Sequence, residues 1–198
     1  MLRSRALLSL LIACLPFLIV ACGLEGETTD TSGAGAPPPG VATGSIAVRL
    51  AVSGTSLGGE GDAVGGVNVT ISEVTIFPVE GGSGMPGVGS LGPVGLLGGP
   101  VTFNLLALAG NPVTLTSGPL PAADYDRLRV VVSGASVSLL GGATNALAVE
   151  NGTVEQGIDV HVGQGETATV TLTVNVRESL RLNKNNRGSF RPQINVSD

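Results

Sequence analysis

Tryptophan is missing from this chain of 198 residues, tyrosine and histidine occur once each, at Tyr125 and His161, and cysteine occurs only at Cys14 and Cys22. Each scarcity excludes something. One histidine and two cysteines cannot assemble a zinc site from nitrogen and sulfur ligands without carboxylates making up the set, and no recognisable spacing supplies them. Aromatic residues make up 3% of the chain, which leaves little ring surface on which a sugar or a base can stack. Lysine and arginine number 10 against 15 acids, a net charge of -5 that argues against a nucleic-acid partner. Past the first two dozen residues no stretch carries an apolar stripe at helical spacing. What fills the chain instead is glycine, with 31 residues, together with valine, leucine, isoleucine and alanine, a composition that suits strands joined by glycine turns.

The N-terminus has three parts: Arg3 and Arg5, an apolar run from Ala6 to Ala21, and a cysteine after a small residue. This is the layout of an export signal. The run holds sixteen residues, short of the roughly 20 that cross a bilayer comfortably, and Pro16 interrupts it. Its end, Ile19-Val20-Ala21-Cys22, resembles the bacterial lipobox, in which the chain is cut before a cysteine that has received diacylglycerol. Leu11-Ile12-Ala13-Cys14 is a second match with too short an apolar segment before it. The expectation is a signal peptide over 1–21 and a lipidated Cys22 as mature N-terminus. An ordinary secretory signal with an incidental cysteine and a true membrane span are the alternatives. Acyl chains on Cys22 would make the membrane the first partner. Gly23 stands where an aspartate would resemble an inner-membrane retention signal, which favours the outer membrane. Removing 21 residues leaves 177, with Cys22 as their one thiol and a net charge of -7 once Arg3 and Arg5 are gone. No disulfide is then available within the domain.

Residues 22–43 lack periodicity, contain Pro37-Pro38-Pro39 and read as a solvated tether. From residue 44 onward strands follow one another. Ile46, Val48, Leu50 and Val52 alternate with Ala47, Arg49 and Ala51. Val67, Val69 and Ile71 do the same, and the pattern resumes out of phase at Val74 and Ile76, which calls for a bulge or a bend near Ser72-Glu73. Residues 80–100 are so rich in glycine and proline that they read as a long excursion. Strands are expected around Val101–Leu108, Val113–Leu115, Leu128–Val132, Val137–Leu139, Leu147–Val149 and Ile158–Val160. The longest is expected at Ala168–Val176, where threonines alternate with aliphatics, and the chain closes with Phe190, Ile194 and Val196. Hairpin turns are expected at Gly141-Gly142, Asn151-Gly152 and Asn183–Gly188. Eight to ten short strands predict an all-β domain over 44–198, an antiparallel β-sandwich or, as the alternative, a partly open barrel.

The blocks Gly44-Ser-Ile-Ala-Val-Arg-Leu, Val67-Asn-Val-Thr-Ile-Ser-Glu-Val, Phe103-Asn-Leu-Leu-Ala-Leu, Leu120-Pro-Ala-Ala-Asp-Tyr-Asp-Arg-Leu-Arg-Val-Val-Val and Arg191-Pro-Gln-Ile-Asn-Val resemble, in order and spacing, a family of bacterial lipoprotein domains of unknown function, DUF4382, over about residues 44–196. The resemblance implies a β-sandwich of transthyretin-like or carbohydrate-binding architecture and supplies no catalytic residue. Ala123 stands where the family often has glycine, and the excursion at 80–100 is longer than usual there.

Few residues invite chemistry. Gly54-Thr-Ser56-Leu-Gly58 has the text of a nucleophile elbow, but Gly59-Glu-Gly-Asp cannot continue as the helix that such an elbow requires. A serine hydrolase using Ser56 is the weakest alternative. Gly82–Gly87 matches a dinucleotide fingerprint with Pro86 where the helix should form, and no βαβ unit surrounds it. His161 is expected on a solvent face. Asp124 and Asp126 share a face that would suit calcium, or an ion-pair network with Arg127 and Arg129, and Glu60 with Asp62 is a similar pair. Tyr125 is placed to act as a tyrosine corner, bonding a neighbouring loop. Arg181, Lys184, Arg187 and Arg191, with Arg177, form a basic run that either is an ordinary solvated hairpin or gathers cations at one end of the sandwich. The expected function is a non-enzymatic, envelope-anchored binding or structural module, with no cofactor, whose partner is an envelope protein, a glycan or an anionic glycolipid. A carbohydrate-binding module at the cell surface is the alternative.

Overall fold

The computed structural model describes residues 41–57, 64–80, 91–185 and 187–198. Contacts divide the chain into Met1–Asp30 and Thr31–Asp198, and every described element lies in the second part. Its strands are β1 (Thr43–Ser53), β2 (Val64–Pro78), β3 (Val94–Gly95), β4 (Val101–Asn104), β5 (Val113–Pro121), β6 (Ala123–Leu139), β7 (Thr144–Val149), β8 (Thr153–Val162), β9 (Thr167–Asn175), β10 (Leu180–Leu182), β11 (Gly188–Phe190) and β12 (Ile194–Ser197). A single turn of helix, α1 (Val176–Ser179), joins β9 to β10. One sheet has the order β12-β9-β1-β5. In the other, β2 and β6 form an antiparallel pair at the centre. Here β3 and β4 line the outer side of β2, β7 and β8 line the outer side of β6, and β11 and β10 continue past β7.

Alternation places the core between the two sheets. From the smaller sheet come Ile46, Val48, Leu50, Val170 and Leu172, and from the larger Val67, Val74, Ile76 and Val137, all without solvent exposure. Thr167, Thr169, Thr171 and Thr173 fall between the buried positions of β9, as a half-covered strand requires. The phase change in β2 is a bulge within one sheet: Ile71 faces Val132 while Glu73 faces Val131, so Ser72 is the extra residue. Tyr125 and Phe190 are the two largest side chains that are fully buried.

The register gives the sandwich two distinct ends. At the entry end the backbone of Val41–Ser45 is stitched into its neighbours: Ala122 N donates to Ala42 O at 2.8 Å, Gly165 N to Thr43 O at 2.9 Å, and Ser45 N to Glu166 O at 2.7 Å. Gly44 has to be glycine there, because a Cβ would run into the Gly163 carbonyl and lie 2.6 Å from Val162 Cγ1. At the far end lie the last residues of β1, the first of β2, the β6–β7 turn, α1 and the β10–β11 hairpin. The 17 residues of β6 separate the two ends by roughly 50 Å at about 3.3 Å per residue.

Several expectations are corrected. The pairing is not wholly antiparallel, since β1 runs parallel to β9 and β7 parallel to β11. A parallel pair needs a crossover, and both crossovers here pass through the opposite sheet. The longest strand is β6, of 17 residues, because the runs on either side of Ser133-Gly134 are one strand carrying a bulge against β2. Val176 starts the helical turn instead of ending β9. β5 extends to Pro121 with Pro119 inside it, which its edge position permits. The expected strand over 101–108 stops at Asn104 and is followed by a 3-10 turn, Leu106–Leu108. Of the excursion, residues 91–100 are part of the fold: β3 pairs with Thr75 and Ile76, and Leu96 is buried in the core.

Candidate functional site

Several polar side chains of the entry half bind within the domain. Tyr125 is 1% exposed, and its hydroxyl donates to Pro121 O at 2.9 Å, four residues upstream, which ties the β5–β6 corner together as expected. Burial pushes its phenol up to about 12, so it remains a donor. On the outer face of the large sheet Arg127 and Arg129 both approach Phe77, with guanidinium carbons 4.6 and 5.3 Å from the ring centre. Arg129 also binds Glu73 Oε1 at 2.7 Å, and Thr75 Oγ1 donates to the same oxygen at 2.6 Å. These two hydrogen bonds, the threonine's foremost, hold the Glu73 carboxyl below its usual range. Opposite Arg127 stands Gly157, whose missing side chain opens a depression of about 500 Å³ lined also by Val79, Glu80, Asp126, Glu155 and Gln156.

The aspartates meet different fates from the ion-pair network expected. Asp124 binds His161 Nδ1 at 2.6 Å across β6 and β8. That hydrogen bond raises the pKa of His161. Asp126 is the extra residue of a bulge against β2 and is in no ion pair among the described residues, and the arginines turn to Phe77 and Glu73 instead. His161 is well exposed, as expected of a solvent face. No group of three or more histidine, cysteine, aspartate or glutamate side chains able to hold a metal is present among the described residues.

The far end is built from two neighbouring hairpins. In β10–β11 the partners Leu180 and Phe190 both point into the core, leaving Arg181 outside. Gly188 is obligatory, since a Cβ there would strike the Arg181 carbonyl. Asn183 shapes the tip: its Oδ1 accepts from Asn185 N at 3.0 Å and Arg187 N at 3.1 Å, and its own N donates to Arg187 O at 2.9 Å. Lys184 and Arg187 are both exposed beside these bonds. Behind the hairpin, buried Ser179 donates to Asn175 O at 2.6 Å and accepts from Gln193 N at 2.9 Å, locking α1 to the segment that leads to β12.

Of the four cations named from sequence, Arg181, Lys184 and Arg187 gather at this tip. Arg191 does not: it lies at the base of the hairpin, where its N donates to Ser179 O at 2.8 Å. All four are exposed, and none is in an ion pair among the described residues. Ser56 is exposed at the far end just past β1, whereas His161 is at the entry end, so the chain's one histidine cannot serve it as a base. Cys22, Glu60, Asp62 and the motif at 82–87 lie outside the described residues. Sequence reasoning missed the Arg–Phe–Arg cluster and the depression, although Phe77, Arg127 and Arg129 at like-facing strand positions were the available signal.

A family model described as a domain of unknown function, DUF4382, matches residues 48–192. The chain belongs to the DUF4382 family. Among curated proteins and among solved structures nothing matches. The DUF4382 match runs from inside β1 through the whole of the β10–β11 hairpin, so both ends of the sandwich belong to the family domain.

Proposed function

We propose that this DUF4382 protein is exported, cut before Cys22 and held on a membrane by the lipidated cysteine. Its sandwich then serves as a non-enzymatic binding module in the envelope, using the cationic hairpin against an anionic component. One observation carries this reading: Arg181, Lys184 and Arg187 stand free of ion pairs among the described residues at the end farthest from where the chain enters the domain. A cationic tip displayed this way attracts anionic surfaces by complementarity and loses that attraction as salt screens it. The acids favour the same polarity, because Glu80, Asp124, Asp126, Glu155, Asp159, Glu166 and Asp198 lie toward the entry end, Glu73 faces Val131 at the middle of β6, and among the described acids Glu150 and Glu178 lie beyond it.

Fractionation of cells tests the anchor. Cys22→Ser releases the domain from the membrane fraction or leaves the precursor uncut, and mature protein that stays membrane-bound without acyl mass overturns the anchor. Crosslinking in intact cells tests the hairpin: an unchanged set of partners after Arg181, Lys184 and Arg187 are neutralised overturns that half. Carbohydrate binding has one observation on its side, the depression beside Arg127, whose guanidinium, carboxylates and amide match sugar hydroxyls. Against it, among the described rings Phe77 is engaged by two guanidinium groups, Tyr125 and Phe190 are buried, and Phe103 packs against the core. Glycan-array binding abolished by Gly157→Leu would establish that reading in place of the hairpin.

A further inference from the structure

We infer that the far end docks onto an anionic lipid surface, with Leu140 entering the lipid and the cationic hairpin holding its headgroups. The inference rests on the hairpin's being a binding surface and adds the identity of its partner. It starts from the β6–β7 turn. Leu140 is 75% exposed, the most exposed large apolar side chain among the described residues. The three residues after it are Gly141, Gly142 and Ala143, all exposed, so the tip contains no polar side chain. Hairpin tips ordinarily carry asparagine, aspartate or serine, as the neighbouring Asn183–Arg187 tip does. The turn is nevertheless ordered, since Gly142 N donates to Leu139 O at 2.9 Å and Leu139 N to Ala143 O at 2.8 Å.

Strand register places the two tips together. β7 and β11 run side by side with Ala148 level with Ser189 and Val149 with Phe190. Because the two strands are parallel, the β6–β7 turn that precedes β7 and the β10–β11 turn that precedes β11 lie on the same side of adjacent strands, at the far end. An acidic polymer would be satisfied by the cations alone. An apolar side chain beside them fits the boundary between headgroups and acyl chains, where apolar burial and attraction to anionic lipid act together.

The test loads the full mature chain into phosphatidylcholine vesicles through its anchor and adds acceptor vesicles rich in phosphatidylglycerol, with clustering followed by light scattering. Wild type clusters them, and acceptors of phosphatidylcholine alone stay dispersed. Leu140→Ser weakens clustering by about tenfold, the worth of withdrawing one leucine from lipid. Replacing Arg181, Lys184 and Arg187 together by serine weakens it on the order of a hundredfold. Thermal melts show that both variants fold, as exposed positions should allow. Equal clustering of neutral acceptors overturns the inference. So does a Leu140→Ser variant that clusters like wild type while the triple variant fails, because the partner is then an anionic polymer or protein met by charge alone. A chain that does not load before any acceptor is added speaks against the anchor. The same unlipidated chain then reports on the tip by flotation with phosphatidylglycerol vesicles, where loss of binding in Leu140→Ser supports the lipid contact and unchanged binding overturns it.

Discussion

The entry and far ends of this sandwich are made from the same long strands, yet they leave charge of opposite sign unpaired among the described residues. Toward the entry end Tyr125 bonds Pro121, Asp124 bonds His161 and Arg129 bonds Glu73 while lying over Phe77, whereas Glu80, Asp126, Glu155, Asp159 and Glu166 are in no ion pair. At the far end backbone and asparagine bonds build the hairpin tips, and the charged side chains are left over. Charges with no ion-pair partner among the described residues are the ones open to another surface, and the proposed binding surface uses the cations of the far end.

The largest effect that can break this comparison is Phe190→Ala. Phe190 is fully buried beneath the cationic hairpin, and truncating such a ring costs about 3–5 kcal/mol. Denaturant unfolding should show that loss, and amide exchange should show the β10–β11 hairpin opening while β1, β5 and β6 near the entry end remain protected. A loss below about 1 kcal/mol would mean that the hairpin is not held by the core. Val170→Ala, at the centre of β9, should cost about 1–3 kcal/mol without favouring either end, and serves as the reference.

Tyr125→Phe sharpens the comparison from the other side. It removes the donor and leaves the Pro121 carbonyl buried without its partner, a cost of about 1–3 kcal/mol confined to the entry end. Because the folded phenol is raised to about 12, the unfolded chain loses that proton first on the way up in pH. Stability is therefore unaffected below about pH 10 and falls between about 10 and 12, and the fall should vanish in Tyr125→Phe. The smallest effect belongs to the exposed pair. Its pKa raised by Asp124, His161 contributes stability that is fully present below its unfolded value of 6.5 and is lost as pH rises through the folded value. Asp124→Asn should bring the histidine's NMR titration down toward 6.5 with little change in melting temperature. An unmoved titration would separate Asp124 from His161.

Strand periodicity was legible because a buried face imposes a period of two on the residues that fill it. Ile46 to Leu50, Val67 to Ile76 and Ala168 to Val174 therefore declared themselves, as did the bulge at Ser72. The corner role of Tyr125 was legible for a related reason, a lone tyrosine beside a proline turn in an otherwise aliphatic chain. The parallel pairs, the length of β6 and the placing of the β6–β7 and β10–β11 turns at one end were not. They depend on which strands become neighbours, and residues that meet this way, such as Ala148 and Ser189, lie far apart in sequence with nothing local to mark them. Charge shows the same division. The sequence by itself determined an all-β domain with a basic run near its C-terminus, since alternation and composition are local properties. Only the tertiary structure decided that Arg191 leaves the cluster, that Arg127 and Arg129 turn to Phe77 and Glu73, and that the cations stand beside an apolar turn at the end opposite the chain's entry, because register and strand order are settled by packing across the whole core.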